Sequence, residues 1–232
     1  MVKKFPTHVA IIMDGNSRWA KMNNLPKKRG YKKGIKTLEN LIDICIKIKI
    51  KILTVYALST ENIYRKDINI LYTLISDFIK NSKKDHHKFD NIDFRLIGDR
   101  NNINKDILSF FEKIKKNKKS KKKIILNFAY NYGSWKELEF CIKKIVSDHK
   151  NNNKDINLIN ENYIKNNLYT NDIPDPDLLI RTGGNKRLSN FLLLQLRYAE
   201  LFFIDTLWPD FNETNFIDIL DQFNKRKRTF GL

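Results

Sequence analysis

The sequence predicts an α/β fold with a mainly parallel central sheet flanked by helices. Three observations predict it. Short apolar runs such as Val9 to Met13 and Ile124 to Ala129 carry no polar alternation, which suits strands buried on both faces. Segments of helical period separate these runs, so strands alternate with helices and the crossovers are right-handed. Several runs end in polar residues and glycine, as strands do at the ligand-binding edge of an open sheet. The 232 residues are enough for one domain with a full core. No stretch rich in Gly, Ser or Pro divides them and no repeat appears, so residues 1–232 read as a single domain.

The first strand, Val9 to Met13, runs into Asp14-Gly15-Asn16-Ser17-Arg18-Trp19-Ala20. Gly15 lets a ligand approach the backbone. Asn16 and Ser17 suit the cap of a following helix, whose free N–H groups suit an anion. Taken alone, this is equally an ordinary strand end closed by an Asx turn. Lys27, Lys28, Arg29, Lys32 and Lys33, with Gly30 and Gly34, read as a basic turn. A helix follows it on the stripe Ile35, Leu38, Leu41, Ile42 and Cys45. Residues 46–52 alternate Ile with Lys and fit either a helix tail or a strand. The second strand, Leu53 to Leu58, ends in Ser59-Thr60-Glu61-Asn62, and a loop from Ile63 to Asn69 leads to a helix marked by Leu71, Leu74, Ile75, Phe78 and Ile79.

Phe94 to Ile97 is the third strand, and Ile107, Phe110, Phe111 and Ile114 mark a helix that ends in the solvated run Lys115 to Lys123. The fourth strand, Ile124 to Ala129, is closed by Asn131-Tyr132-Gly133-Ser134, where a helix through Trp135, Leu138, Cys141 and Ile145 begins. Residues 150–167 read as loop and a short helix. Asp172 to Asp177 holds three aspartates, but Pro174 and Pro176 keep them off a shared helix face, so it reads as a turn rather than a metal cluster. The fifth strand starts at Asp177 and ends in Arg181-Thr182-Gly183-Gly184. The apolar run Phe191 to Leu196, a strand from Leu201 to Ile204, and a helix from Glu213 to Lys227 complete the chain.

Composition narrows the function. The formal charge of +18 admits nucleic acid, acidic membrane or phosphorylated substrates as partners. Lys, Asn and Ile abound even in stretches without evident chemistry, such as Asn151 to Asn153, so the arginines are the informative cations. Cys45 and Cys141 fall on apolar helical positions and fit reduced core residues. No apolar run reaches the roughly 18 residues that span a bilayer, and no secretory signal opens the chain, which predicts a cytoplasmic protein. GxxxxGK[ST] and GxGxxG loops are absent, and no Ser/His/Asp triad is apparent. An RNA-binding reading lacks the glycine-aromatic pattern of RNP motifs, so nucleic acid is not expected.

The polar strand ends decide between turn and site. On one edge of a parallel sheet they would gather Arg18, Arg65, Arg181 and Arg187 around Asp14, Glu61 and Glu200. Several guanidinium groups around few acids fit two diphosphates with a divalent cation. At this point His8 to Ala20, Ser59 to Asn62, and Asp177 to Gly184 with Arg187 to Leu192 resemble the signature blocks of the cis-prenyltransferases. Tyr198 to Phe203 and Leu207 to Phe211 extend the resemblance over nearly the whole chain.

The resemblance implies a homodimer with an apolar tunnel through the core. It implies Mg2+-dependent condensation of isopentenyl diphosphate with an allylic diphosphate such as farnesyl diphosphate, giving cis double bonds. The expected product is undecaprenyl diphosphate, a cell-wall lipid carrier, released through transient contact with the inner membrane face. A shorter product is the alternative. A non-catalytic partner subunit is a third reading, against which Asp14 and Asn62 argue. By resemblance, Asp14 and Glu200 hold the metal. Gly15, Asn16, Ser17 and Arg18 bind the allylic diphosphate, Arg181, Arg187 and Ser189 bind isopentenyl diphosphate, and Trp19 and Leu188 are further substrate contacts. Lys27, Tyr31, Ser59, Thr60, Glu61, Ile63 and Arg65 match further substrate contacts. The family assigns proton acceptance to the position of Asn62. A neutral amide is a weak base, so Asn62 is expected to orient substrate while a diphosphate oxygen takes the proton. The chain departs from the family at Lys27 and Tyr31, where Arg and His are usual, and at Ile63, Lys66 and Asn69. It departs again at Thr229, where the family's Arg-x-Gly becomes Thr229-Phe230-Gly231.

Overall fold

The computed structural model describes residues 5–64, 68–70, 72, 73, 78, 91–101, 103, 105–116, 122–152 and 155–226. Six strands form one sheet: β1 His8–Ile12, β2 Ile52–Ser59, β3 Ile92–Ile97, β4 Ile124–Tyr132, β5 Leu178–Arg181 and β6 Glu200–Phe203. Their order is β3-β4-β2-β1-β5-β6, and every pairing is parallel. Around them lie α1 Asn16–Met22, α2 Lys27–Lys47, α3 Lys105–Lys116, α4 Ser134–Asn152, α5 Glu161–Lys165 and α6 Glu213–Lys225. The chain leaves β1 toward β2 on one side and later returns on its other side as β5. That makes the β1–β5 boundary the switch point, where a crevice opens beyond the strand ends.

Both faces of the sheet are covered, which explains the unbroken apolar runs. Val9 and Ile11 join a core with Leu38, Leu41, Phe216 and Leu220. Ala10 and Ile12 pack on the other face with Tyr132, Phe191 and Leu196. Both cysteines are buried and free, as expected.

Several boundaries differ from the sequence reading. The basic segment is the first two turns of α2, not a turn before it. Glycine weakens a helix, but here backbone proximity requires it: a Cβ on Gly30 would stand 2.2 Å from the Asn16 carbonyl, and one on Gly34 2.2 Å from Asn16 Oδ1. The ambiguous Ile-Lys segment is the end of α2, a short link and the start of β2. β4 runs on through Tyr132 because its polar end is paired inside the protein: Asn131 donates to the carbonyls of Asp99 and Asn101. β6 starts at Glu200, and the turn from Asp172 is tied down where Asp177 Oδ2 accepts from Thr7 N at 2.7 Å and His8 N at 3.1 Å. The helix expected around Leu71 to Ile79 lies largely outside the described residues, as does the centre of the Lys115 to Lys123 run.

His8 is 2% exposed at the start of β1. A carbonyl only accepts, so Nδ1 donates to Pro174 O at 2.6 Å, and Nε2 accepts from Thr54 Oγ1 at 2.7 Å. Thr54 Oγ1 in turn accepts from Asn127 Nδ2 at 2.9 Å. Burial pushes the imidazole pKa down from 6.5 to about 4. The unfolded chain takes that proton near 6.5 and the folded one only near 4, so stability is constant above this window and falls as pH drops through it. The expected loss between pH 7 and 4 from this group is about 3 kcal/mol. Urea midpoints across that range should flatten in His8→Gln, and an unchanged slope would remove His8 as the cause.

Candidate active site

The site forms where β1 and β5 end side by side. Asp14 Oδ2 accepts from Arg181 Nη2 at 3.1 Å and from Asn185 Nδ2 at 2.8 Å, and Oδ1 lies 3.2 Å from Arg18 Nη2. Arg181 Nη1 donates to Ser189 Oγ at 2.8 Å and to the Arg187 carbonyl. Its side chain is only 5% exposed, and its Nε is a buried donor with no acceptor among the described residues. Thr182 Oγ1 donates to the Asp14 carbonyl at 2.8 Å, stapling the two strand ends together. Gly183 and Gly184 take φ values of 82° and 77°, and a Cβ on Gly183 would sit 2.5 Å from Arg18 Nη2. A side chain at Gly183 would therefore displace the guanidinium.

Gly15 (φ 117°) precedes α1, which no side chain caps. The expected cap by Asn16 and Ser17 is therefore corrected. Asn16 is the first helical residue, donating to the Met13 carbonyl, and its Oδ1 is buried without a partner among the described residues. Ser17 instead donates to Tyr31 Oη at 3.3 Å.

A second layer fixes the segment that carries Arg187 and Ser189. Ser189, Asn190 and Leu192 have φ of 48–62°, which side-chain-bearing residues adopt at a cost unless neighbours hold them. Tyr56 Oη donates to the carbonyls of Ser189 and Tyr132, and its ring stacks on Phe191 at 4.4 Å. Asn190 ties its segment to the start of α4 and to the turn after β2: its carbonyl accepts from Ser134 N, its Oδ1 from Trp135 N, and its Nδ2 donates to Glu61 Oε1 at 3.0 Å. Beneath lies Glu137, fully buried and surrounded by donors, with Tyr132 Oη at 2.6 Å, Gln195 Nε2 at 2.9 Å and Thr170 Oγ1 at 3.4 Å. Burial raises its pKa. Burial works against the charge of Asp14 too, but the Asn185 amide and the Arg181 and Arg18 guanidiniums outweigh it and hold the carboxyl below its usual range. For Glu61, burial is likewise outweighed, by the Asn190 amide and by donors from its own turn, Ser59 and Thr60.

These groups head a cavity of about 700 Å3. Its rim carries Asp14 to Arg18, Tyr31, Ser59, Glu61, Asn62, Arg181, Arg187 and Ser189, all anticipated from sequence. Its interior is apolar, with Ile35, Leu38, Ala57, Phe78 and Phe128. The rings of Phe78 and Phe128 stand 5.7 Å apart, and Phe111 and Phe94 back Phe128 at 5.9 and 6.3 Å.

Other anticipated residues sit elsewhere. Trp19 Nε1 donates to Asp210 and its ring lies under Lys33. Lys27 opens α2 on an exposed position, and Thr60 packs beside Gly133. Ile63 packs against the main core and Leu188 against the core of the opposite face. Arg65, Lys66 and Thr229 lie outside the described residues. The gathering of Glu200 with Asp14 on one rim is corrected. Glu200 pairs in register with Leu178, and Val9 also pairs with Leu178, so Glu200 begins its strand where Asp14 has yet to be reached. Five residues at about 3.3 Å each put it roughly 16 Å back along the strands. There it binds Arg226 Nη1 at 2.5 Å, and that guanidinium also covers the Phe202 ring.

Sequence reasoning missed Asn185, Asn190 and Tyr56. The only signal for Asn185 was its place after two glycines. Asn190 and Tyr56 act through partners far away in the chain.

A parallel sheet whose switch point sets cations and two acids over an apolar chamber is the framework of a prenyltransferase, an enzyme for substrates with a diphosphate head and a hydrocarbon tail. The comparisons agree. A family model described as "Putative undecaprenyl diphosphate synthase" matches residues 12–231, and the chain belongs to that family of isoprenyl transferases. The isoprenyl transferase of Fusobacterium nucleatum is 42% identical, across 100% of this chain and 98% of its own length. That of Aquifex aeolicus is 39% identical over the same shares. Among solved structures, lavandulyl diphosphate synthase from Lavandula x intermedia, in complex with dimethylallyl diphosphate, matches with a TM-score of 0.92 and 31% identity, over 98% of this chain and 99% of that one.

Proposed function

We propose that this prenyltransferase joins isopentenyl diphosphate to an allylic diphosphate such as farnesyl diphosphate, with Mg2+ as cofactor. One observation carries the reading: a single cavity has a cationic rim and an apolar interior, matching a diphosphate head and a prenyl tail. In the reaction the allylic C1–O bond breaks, the π electrons of the isopentenyl double bond form the new C–C bond, and a proton leaves the isopentenyl C2. Arg18 and the backbone around Gly15 hold the allylic diphosphate. Arg181, Arg187 and Ser189 hold the isopentenyl diphosphate, with Arg181 Nε as a donor awaiting a phosphate oxygen. Asn62 orients the substrate, and a diphosphate oxygen takes the proton. The tunnel implied by the resemblance corresponds, in this reading, to the cavity.

Mg2+ is bound through one or two carboxylates completed by substrate phosphates and water. Asp14 fits that demand, being a half-buried carboxylate on the rim. The described residues contain no group of three His, Cys, Asp or Glu that would hold the ion alone. Bound there, the ion would stabilise charge on the departing diphosphate. Glu200 would join it only from a second copy. For such a homodimer, α4 offers Trp135, Ile142 and Val146, which are spaced to lie on one face and are 72%, 52% and 59% exposed. Sedimentation equilibrium of the intact protein reads that state directly.

Incubating the protein with Mg2+, farnesyl diphosphate and labelled isopentenyl diphosphate tests the reading. A ladder of products supports it, and no extension at any Mg2+ level overturns it. The top rung measures chain length. Phe78 and Phe128 are bulky apolar residues of the cavity lining. Phe128→Ala is expected to raise the top rung by at least one isoprene unit, and an unchanged ladder would acquit that ring of limiting chain length.

A further inference from the structure

We infer that the corner between α1 and α2 docks the protein on an anionic lipid surface beside the cavity. This rests on the reading that the product carries a long apolar tail. From Gly15 to Leu38 the chain has no acidic residue, although acids number 26 overall. Lys21, Lys28, Arg29 and Lys32 are all exposed there. The whole chain is lysine-rich, so cations alone would decide little. What marks this corner is its apolar tip. Met22 is 76% exposed and Leu25 41%.

The tip is built rather than frayed. Asn24 takes φ 54°, and Leu25 N donates to the Ala20 carbonyl at 2.8 Å, which closes the turn between the helices. Two apolar side chains within a collar of cations form the pattern of an interfacial anchor: the tip enters the headgroup layer and the cations meet lipid phosphates. Trp19, the aromatic residue of α1, is covered by Lys33, which leaves no open stacking platform there for RNA bases. The same two helices line the cavity with Ser17, Tyr31, Gly34 and Ile35. Docking would therefore bring the chamber wall against the bilayer that must receive the tail.

Flotation with vesicles tests this. The intact protein should float with vesicles of phosphatidylglycerol and phosphatidylcholine, not with phosphatidylcholine alone, and less so as salt rises. Each cation near such a surface is worth about fivefold in binding. Lys28→Glu/Arg29→Glu should thus weaken flotation at least about 25-fold, and Met22→Ser/Leu25→Ser at least about tenfold. Wild-type protein that does not float, variants that float like wild type, or RNA binding without flotation would each overturn the inference. Turnover of farnesyl and isopentenyl diphosphates in detergent is measured in parallel. Its loss in the wild type would strike the proposed reaction, whereas intact turnover without flotation strikes only the docking surface.

Discussion

Replacing Asp14 with alanine is expected to cut turnover about a thousandfold, the scale of losing a main stabiliser of developing charge. Melting temperature should fall by only a few degrees. Asp14 accepts from Arg181 and Asn185 and forms an ion pair with Arg18. Without it, Arg181 still has Ser189 Oγ and the Arg187 carbonyl, so one of its contacts is lost rather than all. That costs about 1–3 kcal/mol. Asp14→Asn should be nearly as inactive, since an amide keeps the shape but forfeits the charge that holds a cation. Single-turnover rates and thermal melts on the same samples separate the roles. If stability collapsed in parallel with rate, Asp14 would be a structural clamp. The carboxyl is held below its ordinary range, so it stays ionised from neutral pH down through the usual carboxylate region. An activity loss near pH 6 would have to come from another group.

The second large effect is expected at Arg181. Arg181→Lys keeps the charge but not the planar fork, which here reaches Asp14 with one nitrogen and Ser189 with the other. The KM for isopentenyl diphosphate should rise at least about tenfold, with the allylic KM much less affected. Arg181→Ala should abolish measurable turnover. It removes the cation from between Asp14 and the Ser189 segment, and the φ 50° backbone of Ser189 loses a tether. A lysine variant with wild-type KM would mean that charge alone binds the diphosphate. Equal rises in both KM values would mean that Arg181 organises the whole rim rather than one half of it.

The fold was legible because the central strands are buried on both faces, and an unbroken apolar run as short as Val9 to Met13 suits few places in a protein besides a covered sheet. The start of α2 was not legible. Two glycines among lysines look like a turn until Asn16 is seen packed against them. The rim was legible as motifs, since Asp14, Ser59 and Arg181 each follow or close a strand. Glu200 shows the limit of that logic. A polar residue at a strand boundary reads alike at either end, and only the register shows that β6 begins there. Asn185 and Asn190 escaped because an amide says nothing about its partner. Their roles come from Asp14 and Glu61, which lie 171 and 129 residues away in the chain.

The position of β1 at the switch point also bears on how the protein is made. Asp14 and Arg181 are 167 residues apart in the chain. Synthesis therefore delivers β1, β2, β3 and β4 long before β5, and contacts of such separation form slowly. Until β5 arrives, the β1 edge that will hold it is an unpaired strand of apolar residues, the kind of edge that captures other chains. The β1–β5 pairing both brings Arg181 beside Asp14 and seals that edge. A chain that stalls or is clipped before Leu178 should thus aggregate rather than persist as an inactive fragment.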